Sequence, residues 1–462
     1  MLVLGGCTGE PSEQVTEPAA GGFRAGAAGI GDPYYPALGN GGYDVVNYDL
    51  RIRYDPRTDR LSGQAVITAR ATQNLSRFNL DFSGLEVESV RVDGAHATHR
   101  RDGDELVVTP ATGLPDGSRF TVDVRYAGVP EPASLAGLGA EGFIHTSDGA
   151  IAIGEPRSAS TWFPVNDHPS DKATYTIAIT VPDGLAALSN GVPVGTTAAG
   201  GWTTWRWAER SPMASYLATI VIGEYRVNST THNGRPMVTA VAESLPEGTA
   251  DRALARTGEI ADFLAEKFGP YPFEAYGGVV HNERLVSFAL ENQARPVYSP
   301  GFFTDDARAT GVVAHEIAHQ WFGNSVSVAR WQDIWLNEGF AQYAQWLWTE
   351  HSGGPSVDQQ FARLYSSAGD RMWRVPPGDP GPDMFTSGGW AIYQRGSMAV
   401  HALRKTVGDD AFFRILRTWA EEKRDGNATI EEFVAHAERV SGRSLGALFD
   451  AWLFGTEKPP RP

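Results

Sequence analysis

Along the first half of the chain, apolar and polar residues alternate. Tyr48, Leu50, Ile52 and Tyr54 are separated by Asp49, Arg51 and Arg53, the period of two that marks a strand with one buried face. Asp55-Pro56-Arg57-Thr58 carries turn chemistry and leads into a second strand over 65–70. Phe78, Leu80 and Phe82 repeat the alternation, as do Val122, Val124 and the run 175–181. Strand-sized pieces with Gly, Pro and Asp between them continue to about Val227. A β-sandwich or saddle-like open sheet is therefore predicted for this half.

From about Asp251 the period lengthens. Leu254, Ile260, Phe263, Leu264 and Phe268 fall near one helical face, and Gly269-Pro270 stops that helix. Further helices are predicted from Asp305 or Asp306 through Phe322, from Asn337 to about Glu350, from Trp390 to Lys405 and from Asp410 to Lys423. A last one, from Thr429 to Val440, opens with a capping box of Thr429 and Glu432. The expected organisation is multi-domain, β followed by α+β: a tether over 1–32 rich in Gly, Ala, Glu and Pro, a β domain over 33–230, and a mainly helical domain over 231–462, with the boundary near Val227 to Gly234.

The chain's 462 residues and 42% hydrophobic content allow two or three well-filled cores. Its formal net charge of −16 argues against nucleic acid and suits cationic ligands, including peptides with a free amino terminus. Cys7 is the only cysteine, so no intrachain disulfide can form. Leu4-Gly5-Gly6-Cys7 resembles the lipobox of bacterial lipoproteins, although the six residues before Cys7 are too few for a full signal core. That reading expects an extracytoplasmic protein tethered to a membrane through Cys7, and it leaves the oligomeric state open.

The strongest chemical signal is His315-Glu316-Ile317-Ala318-His319. Two imidazoles four residues apart share a helix face and can reach one zinc ion, with Glu316 beside the metal. Glu338 follows nineteen residues after His319, on the next expected helix. Two His and one Glu leave a tetrahedral position open for water, the arrangement of a catalytic rather than a structural site. Asp333 is a candidate partner for a ligand imidazole.

These motifs resemble the aminopeptidase N family of zinc peptidases, whose catalytic domain is thermolysin-like. The family pattern Gly-x-Met-Glu-Asn is matched by Phe288-Ala289-Leu290-Glu291-Asn292, with Phe288 for Gly and Leu290 for Met. The resemblance implies that Glu291 binds the substrate's α-amine, with Ala289 and Asn292 beside it, and that Phe288 reshapes the first specificity pocket. Trp162-Phe163-Pro164-Val165-Asn166-Asp167-His168-Pro169 resembles a segment of the family's β domain, which places Glu155 where relatives carry a second amine-binding residue. Tyr393-Gln394-Arg395-Gly396 stands for the family's Tyr-x-Lys-Gly and implies that Tyr393 donates to the tetrahedral oxyanion. The implied protein is a short-form aminopeptidase with one Zn2+, Glu316 as general base and no covering helical domain. A thermolysin-type endopeptidase, a peptidase fold retained only for binding, and hydrolysis of a non-peptide substrate are the competing readings.

Overall fold

The computed structural model describes residues 22–135, 139–386 and 388–462. Cys7 lies outside them. The alternating strand signal becomes an eight-stranded sheet. At its centre, Tyr43–Asp55 pairs antiparallel with Arg60–Ala71 and parallel with Lys172–Pro182. Tyr48, Leu50, Ile52 and Tyr54 are buried, while Arg51 and Arg53 face solvent. A four-stranded sheet with Leu75–Asp81 and Glu105–Thr109 supplies Phe78, Leu80 and Val108 to the same core. A five-stranded sheet that includes Gly139–His145, Ala150–Ile153 and Ile220–Gly223 carries the chain to Glu155.

The hairpin Tyr225–His232 and Arg235–Ala242 joins a different sheet, with Tyr276–Val280, Val297–Tyr298 and Ala289–Leu290. The expected boundary at residue 230 thus falls inside the first strand of the sheet that underlies the helical half. Helices follow over Thr249–Ala255, Thr257–Phe268, Asp306–Ala318 and Trp335–His351, then over Gly396–Val407, Asp409–Glu422 and Ile430–Ser441. Thr429 and Glu432 form the expected capping box, and Asp305 caps Asp306–Ala318 by accepting from Arg308 N. The expected helix from Trp390 opens instead with a π-helical turn over Ala391–Arg395. The helix Val357–Ser367, capped by Ser356 and Gln359, had no counterpart in the sequence reading.

A tether reaching Asp32 was expected, but the described part of that segment is pinned. Arg24–Ala25 pairs parallel with the strand at Leu75. Asp32 is buried and accepts from Trp331 N at 2.9 Å and from His168 Nε2 at 3.1 Å. No described helix is long and apolar enough to cross a membrane.

Candidate active site

Helix Asp306–Ala318 and helix Trp335–His351 pack side by side and present three donors to one point. His315 Nε2 lies 3.3 Å and His319 Nε2 3.4 Å from Glu338 Oε2. The other nitrogen of His319 is occupied, because Nδ1 donates to Phe322 O at 3.0 Å. That leaves Nε2 as the ligand atom of His319, and Nε2 of both rings faces the Glu338 carboxylate. The Gln345 side chain, on the helix that carries Glu338, favours the charged form of His315. The turn after His319 is held close to the ring by Gly323, at φ 130°, where a Cβ would sit 3.1 Å from His319 Nδ1.

Two neutral-capable imidazoles and a carboxylate oxygen, all within 4.8 Å of one another and buried, fit a zinc ion in donor chemistry and number. Burial pushes the Glu338 carboxyl up, but the charge of His319 and hydrogen bonds from both imidazoles hold it at about 2. Burial likewise pushes Glu316 well above the usual carboxylate range. Glu316 is buried next to His319, and with Glu291 and His319 it forms a second group of close donor atoms.

Glu291 and Glu155 complete an anionic wall. Glu291 Oε1 accepts from Tyr216 OH at 3.2 Å, and Glu291 O accepts from Asn324 Nδ2 at 2.7 Å and Gln320 Nε2 at 3.1 Å. Oε1 of Glu155 is buried with no hydrogen-bond partner. Burial, followed by the charges of Glu291, Glu338 and Glu316, drives the Glu155 carboxyl well upward. Such a cluster is short of cations. Tyr393, on the π-helical turn, places its ring 5.9 Å from the ring of His315.

Two expectations change. Asp333 does not touch a ligand imidazole. It accepts from Arg330 Nε at 2.8 Å and Nη2 at 3.0 Å and faces Ile430 N, because the 3-10 turn Trp331–Asp333 ahead of the helix turns it toward helix Ile430–Ser441. Asn292, expected at the substrate, is fully buried and donates to Leu217 O at 3.0 Å, bracing the segment that carries Glu291. Ala289 is half-buried in the short strand leading to Glu291.

The sequence reading missed three contributors. Gln345 lies on the Glu338 helix at a spacing that helical geometry could have flagged. Tyr216 is 75 residues from Glu291, so only the fold joins them. Arg395, read only as a charge, is buried and donates to five carbonyls, those of Trp373, Val375, Ala451, Trp452 and Gly455.

A family model for the Peptidase M1 N-terminal domain matches residues 45–217, and one for the Peptidase family M1 domain matches residues 252–452. Aminopeptidase N of Lactococcus lactis subsp. lactis is 25% identical over 450 residues, covering 90% of this chain and 51% of the relative. Aminopeptidase N of Rattus norvegicus is 32% identical over 268 residues, covering 54% of this chain and 27% of the relative. The chain thus spans about half or less of the length of the curated relatives it matches. The crystal structure of an M1 zinc metallopeptidase from Deinococcus radiodurans is similar over 94% of this chain and 99% of that one, with a TM-score of 0.83 and 29% identity. A glutamate-to-alanine mutant from the same organism, bound to a Tyr-Ser-Ala substrate, superposes with a TM-score of 0.84 at 29% identity over the same shares.

Proposed function

The chain belongs to the M1 family of zinc metallopeptidases, and from that premise we propose that it is an aminopeptidase that removes the first residue of peptides with a free amino terminus. The observation that carries this reading is the pair Glu155 and Glu291, buried beside the ligand trio with Oε1 of Glu155 unpartnered. Two buried carboxylates next to a zinc site call for a cation, and a peptide's α-ammonium supplies it. Held there, the first peptide bond lies over His315, His319 and Glu338. An endopeptidase substrate brings no charge to that place and would leave the pair unexplained.

When held by His315, His319 and Glu338, zinc supplies Lewis acidity toward the scissile carbonyl and acidifies water. Glu316 accepts the proton of the attacking water on a carboxylate oxygen and passes one to the leaving amine. Tyr393 donates its phenolic hydrogen to the oxygen on which negative charge develops. Tyr216 and Asn292 keep the Glu291 segment in place. The tripeptide named with the similar Deinococcus radiodurans enzyme supports a peptide substrate.

The test is a panel of aminoacyl-aminomethylcoumarins and their Nα-acetylated copies, with and without a zinc chelator. Cleavage of the free amines only, lost with chelator and restored by zinc, is expected. Equal cleavage of the acetylated copies would overturn the aminopeptidase reading. The lipobox-like Cys7 supports a membrane-tethered, extracytoplasmic location, and metabolic labelling with a radioactive fatty acid checks it. An unlabelled full-length chain sinks that part alone.

A further inference from the structure

Glu291 opens a tight turn of the helical half. Arg295 N donates to Asn292 O at 2.9 Å, and Ala294 stands at φ 61°, a left-handed conformation that a side chain with a Cβ keeps only when its surroundings hold it. Gln320 holds one side of the turn. Its Oε1 accepts from Ala294 N at 2.9 Å, and its Nε2 donates to Glu291 O at 3.1 Å. Arg295 holds the other side, and at 1% exposure it lies out of a substrate's reach.

The Arg295 guanidinium reaches into the β half. Nη1 donates to Ser189 O at 2.7 Å and Nη2 to Gly191 O at 3.2 Å, and the group lies 4.5 Å from the centroid of the Trp207 ring. Gly277 makes room for it, since a Cβ there would sit 3.1 Å from Arg295 Nε. Burial brings the guanidinium down to about 10, with the charge of Glu209 opposing, so it stays protonated at neutral pH. Between the two accepting carbonyls stands Asn190. Its Nδ2 donates to Leu217 O at 2.9 Å and Gln293 O at 3.0 Å, and its Oδ1 accepts from Thr219 N at 2.8 Å. Leu217 and Thr219 follow Tyr216, whose hydroxyl donates to Glu291 Oε1 at 3.2 Å. The circuit is closed: it runs from Arg295 through 189–191 and 216–219 and returns to the carboxylate at the head of its own turn.

We propose that Arg295 is a positioning residue for the substrate's α-ammonium: it fixes the distance between the turn 291–295 and the β half, and so holds the Glu291 carboxylate against Tyr216. A buried cation is costly, and an apolar side chain would fill the same space without that cost. What the guanidinium adds is geometry. It is planar, it carries donors in a rigid fork that spans the carbonyls of 189 and 191, and its face stacks on Trp207. A lysine ammonium keeps the charge but has neither the fork nor the face. The inference rests on the aminopeptidase reading and adds to it that the grip on the amine is set by a contact between the two halves of the chain.

Two inhibitors of the zinc-loaded enzyme test it: alanine hydroxamate and propanohydroxamic acid, which share the zinc-binding group and differ only by the α-amine. Their inhibition constants are measured against alanyl-aminomethylcoumarin cleavage. For the wild type the amine is expected to tighten binding roughly 10–100-fold, as hydrogen bonds to a charged group do. Arg295→Lys should cut that ratio about tenfold, the worth of one such bond, and leave the constant for propanohydroxamic acid unchanged. Tyr216→Phe removes only the last link of the circuit and should lower the ratio as well. The two changes together should fall well short of the product of their separate effects, because both act through Glu291. A ratio near one in the wild type sinks the aminopeptidase reading itself. A large wild-type ratio that Arg295→Lys leaves intact, or an equal weakening of both inhibitors, overturns the positioning role and spares that reading. If Arg295→Lys does not fold, Tyr216→Phe decides alone, and an unchanged ratio in that variant overturns the proposal.

Discussion

At the scale of single residues, the zinc trio was legible because its spacing is local: His315 and His319 share a helix face and Glu338 opens the next helix. What lies around the trio was less so. Asp333 is near Glu338 in sequence, yet the turn that carries it points it at Arg330, while Tyr216 arrives from the β half. Roles of single atoms can be checked one at a time. Glu316→Gln should abolish turnover and keep zinc, read by metal analysis of the purified variant; near-normal turnover refutes the base assignment. Tyr393→Phe should lose roughly 10²–10³ in kcat if it is one oxyanion donor, with KM little changed. Gly323→Ala strains a φ of 130° and pushes a methyl to 3.1 Å from His319 Nδ1. A cost of about 1–3 kcal/mol should appear as a lower melting temperature and weaker zinc retention in chelator competition. An unchanged affinity would show that the turn does not hold the ring.

At the scale of elements, period and caps foretold most of the helices near the site, and two failures have physical causes. The apolar pattern from Trp390 reads as a continuous α-helix because a single wide turn barely disturbs a 3.6 period. The π-helical turn Ala391–Arg395 is fixed by contacts from far along the chain. Gly396 lies against the Trp335 ring and Gly339, where a Cβ would meet Trp335 Cδ1 at 2.8 Å, so this turn and the Glu338 helix approach closely. Arg395 clamps the other side by donating to carbonyls of 373–375 and 451–455, among them Trp373 O at 2.7 Å. Helix Val357–Ser367 escaped notice because only Val357 and Phe361 are fully buried on it. The clamp predicts that Arg395→Lys is not conservative. An ammonium has three donors and cannot span those acceptors. The buried carbonyls left unpaired should cost about 2–4 kcal/mol, measured by urea unfolding, and kcat should fall with Tyr393 less firmly held. A variant as stable and active as the wild type would show that charge alone suffices there.

At the scale of the whole molecule, the β half and the helical half are held together by contacts beyond those at Glu291, among them Lys172 and the segment around Asp32. Lys172 Nζ donates to Asn324 O at 2.8 Å and Ser325 O at 2.9 Å, in the loop that follows His319. The segment after Asp32 also joins the two halves: Tyr35 OH donates to Pro382 O at 2.9 Å, and Gly381 N donates to Tyr34 OH at 2.9 Å. Composition marked the residues up to Asp32 as a tether, because the Trp331 amide that Asp32 holds lies 299 residues away. Asp32 is its anchor. His168 Nδ1 accepts from Ser170 N, so the ring's proton sits on Nε2 and is donated to Asp32. Burial pushes the Asp32 carboxyl up, but the bonds from His168, Trp331 N, Tyr35 N and Tyr34 N prevail and bring it from 3.8 to about 2. A carboxyl depressed on folding stabilises the native state above its unfolded value, and that contribution fades as pH falls from 3.8 toward about 2. The shift corresponds to about 2.5 kcal/mol. Asp32→Asn should therefore lower stability by about that amount at neutral pH, and the gap to the wild type should shrink through this acid window and no higher. Unfolding curves of both proteins from neutral pH downward test it, and a gap that stays constant to the lowest pH would show that the carboxylate's charge does not hold the two halves together.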